Sequence, residues 1–236
     1  MAGIRIAKGI TITEYSAAVL EKEQTGVIAD LHIGMEETGM ISTRVQTAEI
    51  MKKTRMLIRD YGIKTLVLNG DLKFSFGRGL RQEWDELGNY IGEMKKLVRI
   101  IAIKGNHDLY LQNIMRDTEI VETYETGGFR VTHGNLDLEP SKKQMTIIGH
   151  DHPAVKVRDE LGAMHEYQAY MFIKKENVLV LPAFNPLSIG FNIVNEQRWL
   201  SPILGKCNVL DAEIYAIADD EVVDIGKLNK LNKMFR

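Results

Sequence analysis

The chain has a single cysteine, Cys207, among 236 residues. That excludes an internal disulfide and any thiolate cluster for metal. No apolar run approaches the ~20 residues of a membrane-spanning helix, so no membrane partner is expected. The opening stretch, MAGIRIAKGI, shows neither the apolar core nor the cleavage site of a secretory signal. With the lone cysteine, this points to the cytoplasm. Strong net charge is missing as well: 30 basic and 32 acidic residues leave −2. A global basic field for nucleic acid is therefore excluded, whereas a local basic groove, or one made positive by metal, is not. No Gly-x-Ser-x-Gly or Walker pattern occurs, and no strand leads into Gly77-x-Gly79, so it is not a dinucleotide fingerprint.

Histidine is scarce too, six residues in all, yet five of them share one kind of position. The run IIAIK ends in Gly105-Asn106-His107-Asp108. TGVIADLH ends in Asp30 and His32, and IKTLVLNGD in Asp71. GFRVTHG supplies His133, and MTIIGHDH supplies His150 and His152. Only His165 lies elsewhere. Each run has the apolar, β-branched character of a buried strand, with glycine at or near the turn. Ligands bind beyond the carboxyl ends of strands in open α/β sheets, so the five tips are expected to converge. Side chains two apart in an extended segment point the same way, so Asp30 and His32 are expected to meet one metal together.

The remaining composition, 44% hydrophobic and 26% charged, is that of a globule able to bury a core. One domain over residues 1–236 is expected, with a tail from about 226. Residues 10–20 alternate like a strand and form a hairpin with Thr25–Asp30 through EKEQTG. Residues 36–60 have helical spacing, with Ile41, Val45, Ala48, Met51 and Ile58 on one face, and Tyr61-Gly62 as the stop. Strands at 64–69 and 98–104 flank a helix over 81–96, the pattern of a parallel βαβ sheet. After a short helical piece near 109–116, the chain changes character. FRVTHG, MTIIGH, EYQAYMFIKK and NVLVLP are strands without long helices between them, so a second, more antiparallel sheet is expected to pack on the first. Pro182, Pro186 and Pro202 break the next segment into loops. A last hairpin turns at Asp219-Asp220. The tail KLNKLNKMFR spaces Lys227, Lys230 and Lys233 like one helix face; it is either a solvated terminus or a contact for nucleic acid or a partner.

The ordered motifs Asp30-x-His32, Gly70-Asp71, Gly105-Asn106-His107-Asp108, His133-Gly134 and Gly149-His150-x-His152 resemble those of the calcineurin-like metallophosphoesterases. Within that family, GDLKFSFGRGLRQEW and LPAFNPLSIG make the chain similar to small archaeal and bacterial phosphoesterases related to the nuclease subunit of double-strand-break repair complexes. The resemblance implies an α/β fold, a four-layer α/β/β/α sandwich of two largely mixed sheets. It implies two divalent ions, one held by Asp30, His32, Asp71 and His152, the other by Asp71, Asn106, His133 and His150. It also implies that His107 contacts the transferring phosphate and protonates the leaving group. Asp108 is a candidate to orient His107. One position departs from the pattern: Phe74 stands where the family has Asp or, in this subgroup, His.

Two divalent ions against the carboxylates Asp30 and Asp71 leave a net positive site, suited to a phosphate ester and a hydroxide. Imidazole and carboxylate without thiolate suit Mn, Fe, Co, Ni or Zn better than Ca; manganese is the first expectation. Asp151 is expected to face away as a surface carboxylate. Lys73, Arg78 and Arg81 follow the Asp71 tip and are candidates to hold substrate phosphates, solvated loop cations being the alternative. Asn185, Ser188 and Gly190 either shape the site mouth or form a plain loop. The reading is a metal-dependent phosphodiesterase or nuclease using a metal-activated hydroxide. Its expected substrate is a phosphodiester of nucleic acid, single-stranded or damaged, or of a nucleotide. The rival readings are a phosphatase or phosphodiesterase of a small metabolite and a non-catalytic metal-binding scaffold. A homodimer stays open.

Overall fold

The structure is a computed structural model that describes residues 3–35, 45–77, 81–158, 162–188, 190–194 and 198–234. Its first sheet runs β1 (Ile4–Ala7), β2 (Ile10–Ile12), β3 (Ala18–Leu20), β4 (Thr25–Ala29), β5 (Thr65–Asn69), β6 (Arg99–Ile103) and β7 (Glu119–Val121), in spatial order of sequence. Neighbours from β1 to β4 are antiparallel; β4 to β7 are parallel. Two helices, α1 (Gln46–Tyr61) and α2 (Arg81–Lys95), make the crossovers between the parallel strands. The second sheet contains β8 (Thr123–Thr126), β9 (Phe129–Thr132), β10 (Met145–Ile148), β11 (Pro153–Arg158), β12 (Met164–Ile173), β13 (Val178–Val180), β14 (Phe191–Asn192), β15 (Glu213–Ala218) and β16 (Glu221–Lys227). It is mixed: β9, β10 and β13 run parallel, and β12 pairs antiparallel with β11, β13 and β15.

Period-2 alternation builds the layers, because both faces of the central strands are buried. Val27, Val67, Ile101 and Ile103 meet Val131, Ile147, Phe172 and Leu179 between the sheets. Ile28, Leu66, Leu68 and Ile100 face Ile50 and Leu57 of α1 and Leu87, Tyr90 and Met94 of α2. The far face of the second sheet is covered by residues 193–194 and 198–212, with 3-10 turns at Leu204–Lys206 and Val209–Asp211, and by α3 (Leu228–Met234). The result is the expected four-layer sandwich, with its longer helices outside the first sheet and a thin layer outside the second.

Several local expectations change. Residues 10–20 form two strands, because Thr13–Ala17 closes a turn in which the Thr13 N–H reaches the Ala17 carbonyl and Ser16 takes φ 56°. The described part of the first helix begins at Gln46, and 36–44 lies outside the described residues, Ile41 included. Its buried face is Gln46, Thr47, Ile50, Thr54 and Leu57, whereas Val45 and Ala48 are exposed. Three polar residues hide that face from a hydrophobicity reading. Gly62 ends the helix at φ 63°, as expected. The piece near 109–116 is one 3-10 turn, Leu111–Asn113. The tail is a docked helix: Leu228 and Leu231 are buried while Lys227, Lys230 and Lys233 are exposed.

Lys53 of α1 packs its ammonium inward. Nζ donates to Ser16 Oγ (2.8 Å) and the Phe184 carbonyl (3.3 Å), 4.6 Å from the Phe184 ring centroid. None of these partners is a carboxylate, and burial pulls the amine down to about 7. An unfolded lysine titrates near ~10.4. Between those values the unfolded chain holds the extra proton, so this group makes stability rise with pH. Urea unfolding at pH 7 and pH 9 should therefore favour the wild type over Lys53→Met progressively, by at most ~1.4 kcal/mol per pH unit. Parallel pH dependences in the two proteins would refute the inward ammonium.

Candidate metal centre

The carboxyl ends of β4, β5 and β6 in one sheet and of β9 and β10 in the other meet at one place. Beyond the strands the tips zip together through the backbone. The Asp30 N–H bonds the Gly70 carbonyl (3.2 Å), His32 N–H that of Asp71 (2.9 Å), and Gly149 N–H that of His133 (2.9 Å). Other bonds cross between the sheets at the tips. Asp30 Oδ2 accepts the His150 N–H at 3.0 Å, and His133 Nδ1 lies 3.1 Å from the Asn69 carbonyl. Glycine permits the approach: a Cβ on Gly105 would collide with Asp71, and one on Gly149 with the Asp30 carboxylate.

Asp30 and His32 do converge, but not as neighbours on an extended strand. Asp30 (φ 59°), His32 (43°), Asp71 (47°), His150 (70°) and His152 (42°) all adopt the left-handed region. Such residues are uncommon outside glycine, and a conformation of this kind costs of order 1–3 kcal/mol where the surroundings impose it. Each tip therefore curls back over its strand end, which turns the side chains inward.

Three overlapping sets of donor atoms result: Asp30, His32 and His152; His32, Asp71 and His107; Asp71, His133 and His150. Asp71 joins the second and third. Its Oδ2 lies 3.4 Å from His133 Nε2, 3.7 Å from His107 Nε2 and 4.0 Å from His32 Nε2. Asn106 Oδ1 lies 3.1 Å from His133 Nε2. Asp30 Oδ1 is buried, 3.2 Å from His152 Nε2, with no hydrogen bond that satisfies it. His32 and His152 bring their Nε2 atoms within 3.4 Å of each other. Two imidazole nitrogens at that distance need a proton or a cation between them. Buried carboxylate, imidazole and amide donors, some unsatisfied, fit divalent metal. His133 Nδ1, beside the Asn69 carbonyl, leaves Nε2 for the centre, the outer bond that fixes a ligand tautomer.

Electrostatics agree with a dense charge cluster. Burial pushes the Asp71 carboxyl up, but the His133 hydrogen bond and charge, with the His107 N–H, hold it below its ordinary range. Burial lowers His133, yet the Asp71 hydrogen bond and the Asp30 and Asp71 charges raise it to about 9. Desolvation drives His32 to about 4, against the pull of Asp30.

Residues around the centre depart from expectation in informative ways. Asp108 does not orient His107. It is fully buried, and its oxygens accept the Leu72 N–H (2.9 Å) and the Gly105 N–H (2.9 Å). His107 instead turns Nδ1 to the Phe74 carbonyl. The contact at this departing position is thus made by backbone, and the Phe74 ring lies aside, 6.1 Å from His32. Asp151 is not a surface carboxylate: only 4% exposed, it accepts the Leu200 N–H (2.7 Å) and the Ser201 N–H (3.2 Å). Lys73 is buried, and its Nζ donates to the Ser75 and Gly77 carbonyls. Arg81 is exposed on α2, near Asp85 (4.0 Å), and Arg78 lies outside the described residues. Lys73 and Arg81 therefore offer no cation to the centre.

Asn185, Ser188 and Gly190 do shape the site. Ser188 Oγ lies 3.3 Å from His152 Nδ1, Asn185 Nδ2 donates to the His32 carbonyl (3.5 Å), and Gly190 lines the cleft. Gln46, which the sequence did not single out, donates to the same carbonyl at 2.9 Å. That bond pairs residues far apart in sequence and had no local signal.

Asp108→Asn tests the loop-tying role. It sets an amide N–H against a backbone N–H, so metal-free protein should lose ~1–3 kcal/mol of stability in urea. Unchanged stability with a selective loss of rate would instead return Asp108 to His107.

The comparisons with known proteins bear on this geometry. No curated protein matches the chain. Among solved structures, the crystal structure of Pseudomonas putida nuclease MPE aligns with a TM-score of 0.67 at 17% identity, covering 94% of this chain and 98% of that one. At that identity the likeness is one of fold. A family model described as calcineurin-like phosphoesterase matches residues 24–189, which take in every tip from Asp30 to His152 and the Asn185–Ser188 segment. The chain belongs to the calcineurin-like phosphoesterase family.

Proposed function

We propose that the chain is a dinuclear metal-dependent phosphodiesterase acting on nucleic acid or nucleotides, with manganese as the first metal to supply. The observation that carries this reading is the position of Asp71 Oδ2, within 4.0 Å of ring nitrogens from His32, His107 and His133. One carboxylate oxygen central to two donor sets is what a shared ligand between two ions requires. Asp30, His32, Asp71 and His152 would hold one ion, and Asp71, Asn106, His133 and His150 the other. When bound, the pair supplies Lewis acidity and activation of water for in-line displacement at phosphorus. The fold likeness to a nuclease is consistent with a nucleic-acid substrate; family membership alone carries only phosphoester chemistry. The complete donor set speaks against a scaffold.

The chain's own residues then have distinct tasks. Asp30 and Asp71 bring only two negative charges, so a loaded centre stays positive and attracts a phosphate ester. His107 sits at the edge of that centre, its Nδ1 anchored on the Phe74 carbonyl and its Nε2 turned to the Asp71 side of the cleft. With Nδ1 engaged by that carbonyl, Nε2 is the ring nitrogen left to give a proton to a departing alkoxide. Ser188 and the Asn69 carbonyl hold the His152 and His133 rings in register.

Assays with added manganese on bis-p-nitrophenyl phosphate, p-nitrophenyl phosphate and single-stranded DNA test the reading. Diester turnover is expected; turnover of the monoester alone would favour a phosphatase, and none at all a scaffold. Asp71→Asn should lose activity and metal together; full turnover with two retained ions would remove its bridging role. His107→Ala should keep both ions by elemental analysis and lose ~10²–10⁴-fold in rate on DNA. The loss should be smaller on bis-p-nitrophenyl phosphate, whose leaving group needs no proton. Equal losses accompanied by metal depletion would make His107 a ligand of the His32–Asp71 set instead.

A further inference from the structure

The cleft over the centre has a volume of about 480 Å³. Apart from the donor residues and His107, its described wall includes Phe76, Gly190, Phe191 and Leu200. No lysine or arginine occurs among the described residues of that wall. Beyond the donor residues, the described wall is thus largely apolar and aromatic surface. Two of these side chains are unusually open for their size: Phe76 is 62% exposed and Leu200 65%.

Neither is left on a loose loop. Lys73 is buried beneath the turn that carries Phe76 and donates to the carbonyls on both sides of it, Ser75 and Gly77. Glu83, buried on α2, accepts the Ser75 N–H at 2.8 Å. Phe74 O meets His107 Nδ1. A lysine, a glutamate and a histidine thus fix Phe74, Ser75 and Gly77, the residues on either side of one exposed ring. Leu200 is held in the same manner by the buried Asp151. Conformational freedom is normally the cheaper state for an exposed loop, so three polar side chains spent on holding this one call for a function.

The Phe76 ring lies against the His107 imidazole, with centroids 3.5 Å apart and planes 32° from parallel. One face of Phe76 therefore backs the residue that meets the leaving group. Its exposed surface borders the cleft, where the substituent on that oxygen would emerge.

We infer that Phe76 is a stacking platform for a planar aromatic group, a nucleobase, attached next to the scissile phosphodiester. The inference rests on the phosphodiesterase reading and deepens it. Base–aromatic stacking suits every base, because each has a π-face, and needs no cation. It requires an unstacked base, so the substrate class is a dinucleotide or a single-stranded end rather than an intact duplex. Lys73 and Glu83 are positioning residues for the ring, which accounts for a lysine that sits near the centre and does not reach phosphate.

The test uses two ligands with the same scissile phosphate: thymidylyl-thymidine, and its analogue with an abasic deoxyribose on the leaving side. Dissociation constants come from calorimetry on manganese-loaded protein with both ligands in a form whose leaving oxygen is replaced by a methylene, which blocks turnover, and KM and kcat from the wild type with the phosphodiesters. The base-bearing ligand should bind roughly fivefold to a hundredfold more tightly than the abasic one, the range for one base on one aromatic ring. Adding Phe76→Ala should bring that ratio toward one, Phe76→Leu should not rescue it, and Phe76→Trp should. In the wild type the discrimination should appear in KM more than in kcat. A ratio that is the same with Phe76 and with Ala overturns the inference and leaves Phe76 as a cover for His107. Wild type that turns over neither ligand would count against the phosphodiesterase reading; the calorimetric ratio would still decide the stacking. A duplex with a blunt end that binds as tightly as a single strand of equal length also overturns it.

Discussion

A carboxylate with no exposed surface, Asp30, holds the two halves of this protein in register. Its Oδ2 takes the His150 N–H from the other sheet, and its Oδ1 faces the His152 ring. Burial raises the energy of its charge; the nearby imidazoles of His152, His133 and His32 outweigh that and keep it ionised. Remove the charge and the second sheet loses an acceptor for a tip N–H. Remove the second sheet and the charge loses what stabilises it. Fold and centre are therefore one energetic unit, and the inter-sheet apolar layer of Val27, Val67, Ile101, Val131 and Ile147 serves both.

The same coupling explains how five left-handed residues persist at one locus. None of them is glycine, and each would relax toward an ordinary strand or turn if free. They are held because every tip is bonded twice: to its neighbour through the backbone, and across the gap through a side chain or a carbonyl. The reward is directional. A strand that ended straight would keep Asp30 and His32 on one face of their own sheet; a curled tip turns them inward, toward the other tips.

Most of the architecture and the convergence of the five tips were legible in the sequence because both rest on strong local signals. An apolar β-branched run that ends in glycine and a cluster of Asp, Asn and His is rare enough to stand out. The helix stop at Gly62 and the turn at Asp219-Asp220, with φ 49° and 60°, follow from local chemistry. What stayed hidden were roles defined by partners distant in the chain. Asp108, Asp151 and Lys73 carry charge, and charge in a loop suggests solvent or substrate; all three turn inward to backbone groups that leave no mark in a sequence. The buried face of α1 was misplaced because Gln46, Thr47 and Thr54 occupy it. Short strands such as β1, β7 and β14 fell below the length at which alternation can be seen.

The bond from Asp30 to His150 spans 120 residues of chain, and the contact of His133 with Asn69 spans 64. Each half of the protein can build strands and bury one face of them from nearby residues, but neither half contains a complete donor set. The complete donor cluster is therefore among the last features the folding chain assembles, after the slow, non-local docking of sheet on sheet. A nascent or partly folded molecule would carry scattered imidazoles with little grip on metal. Any metal taken up by the cluster would then stabilise only those chains whose two halves have closed on one another.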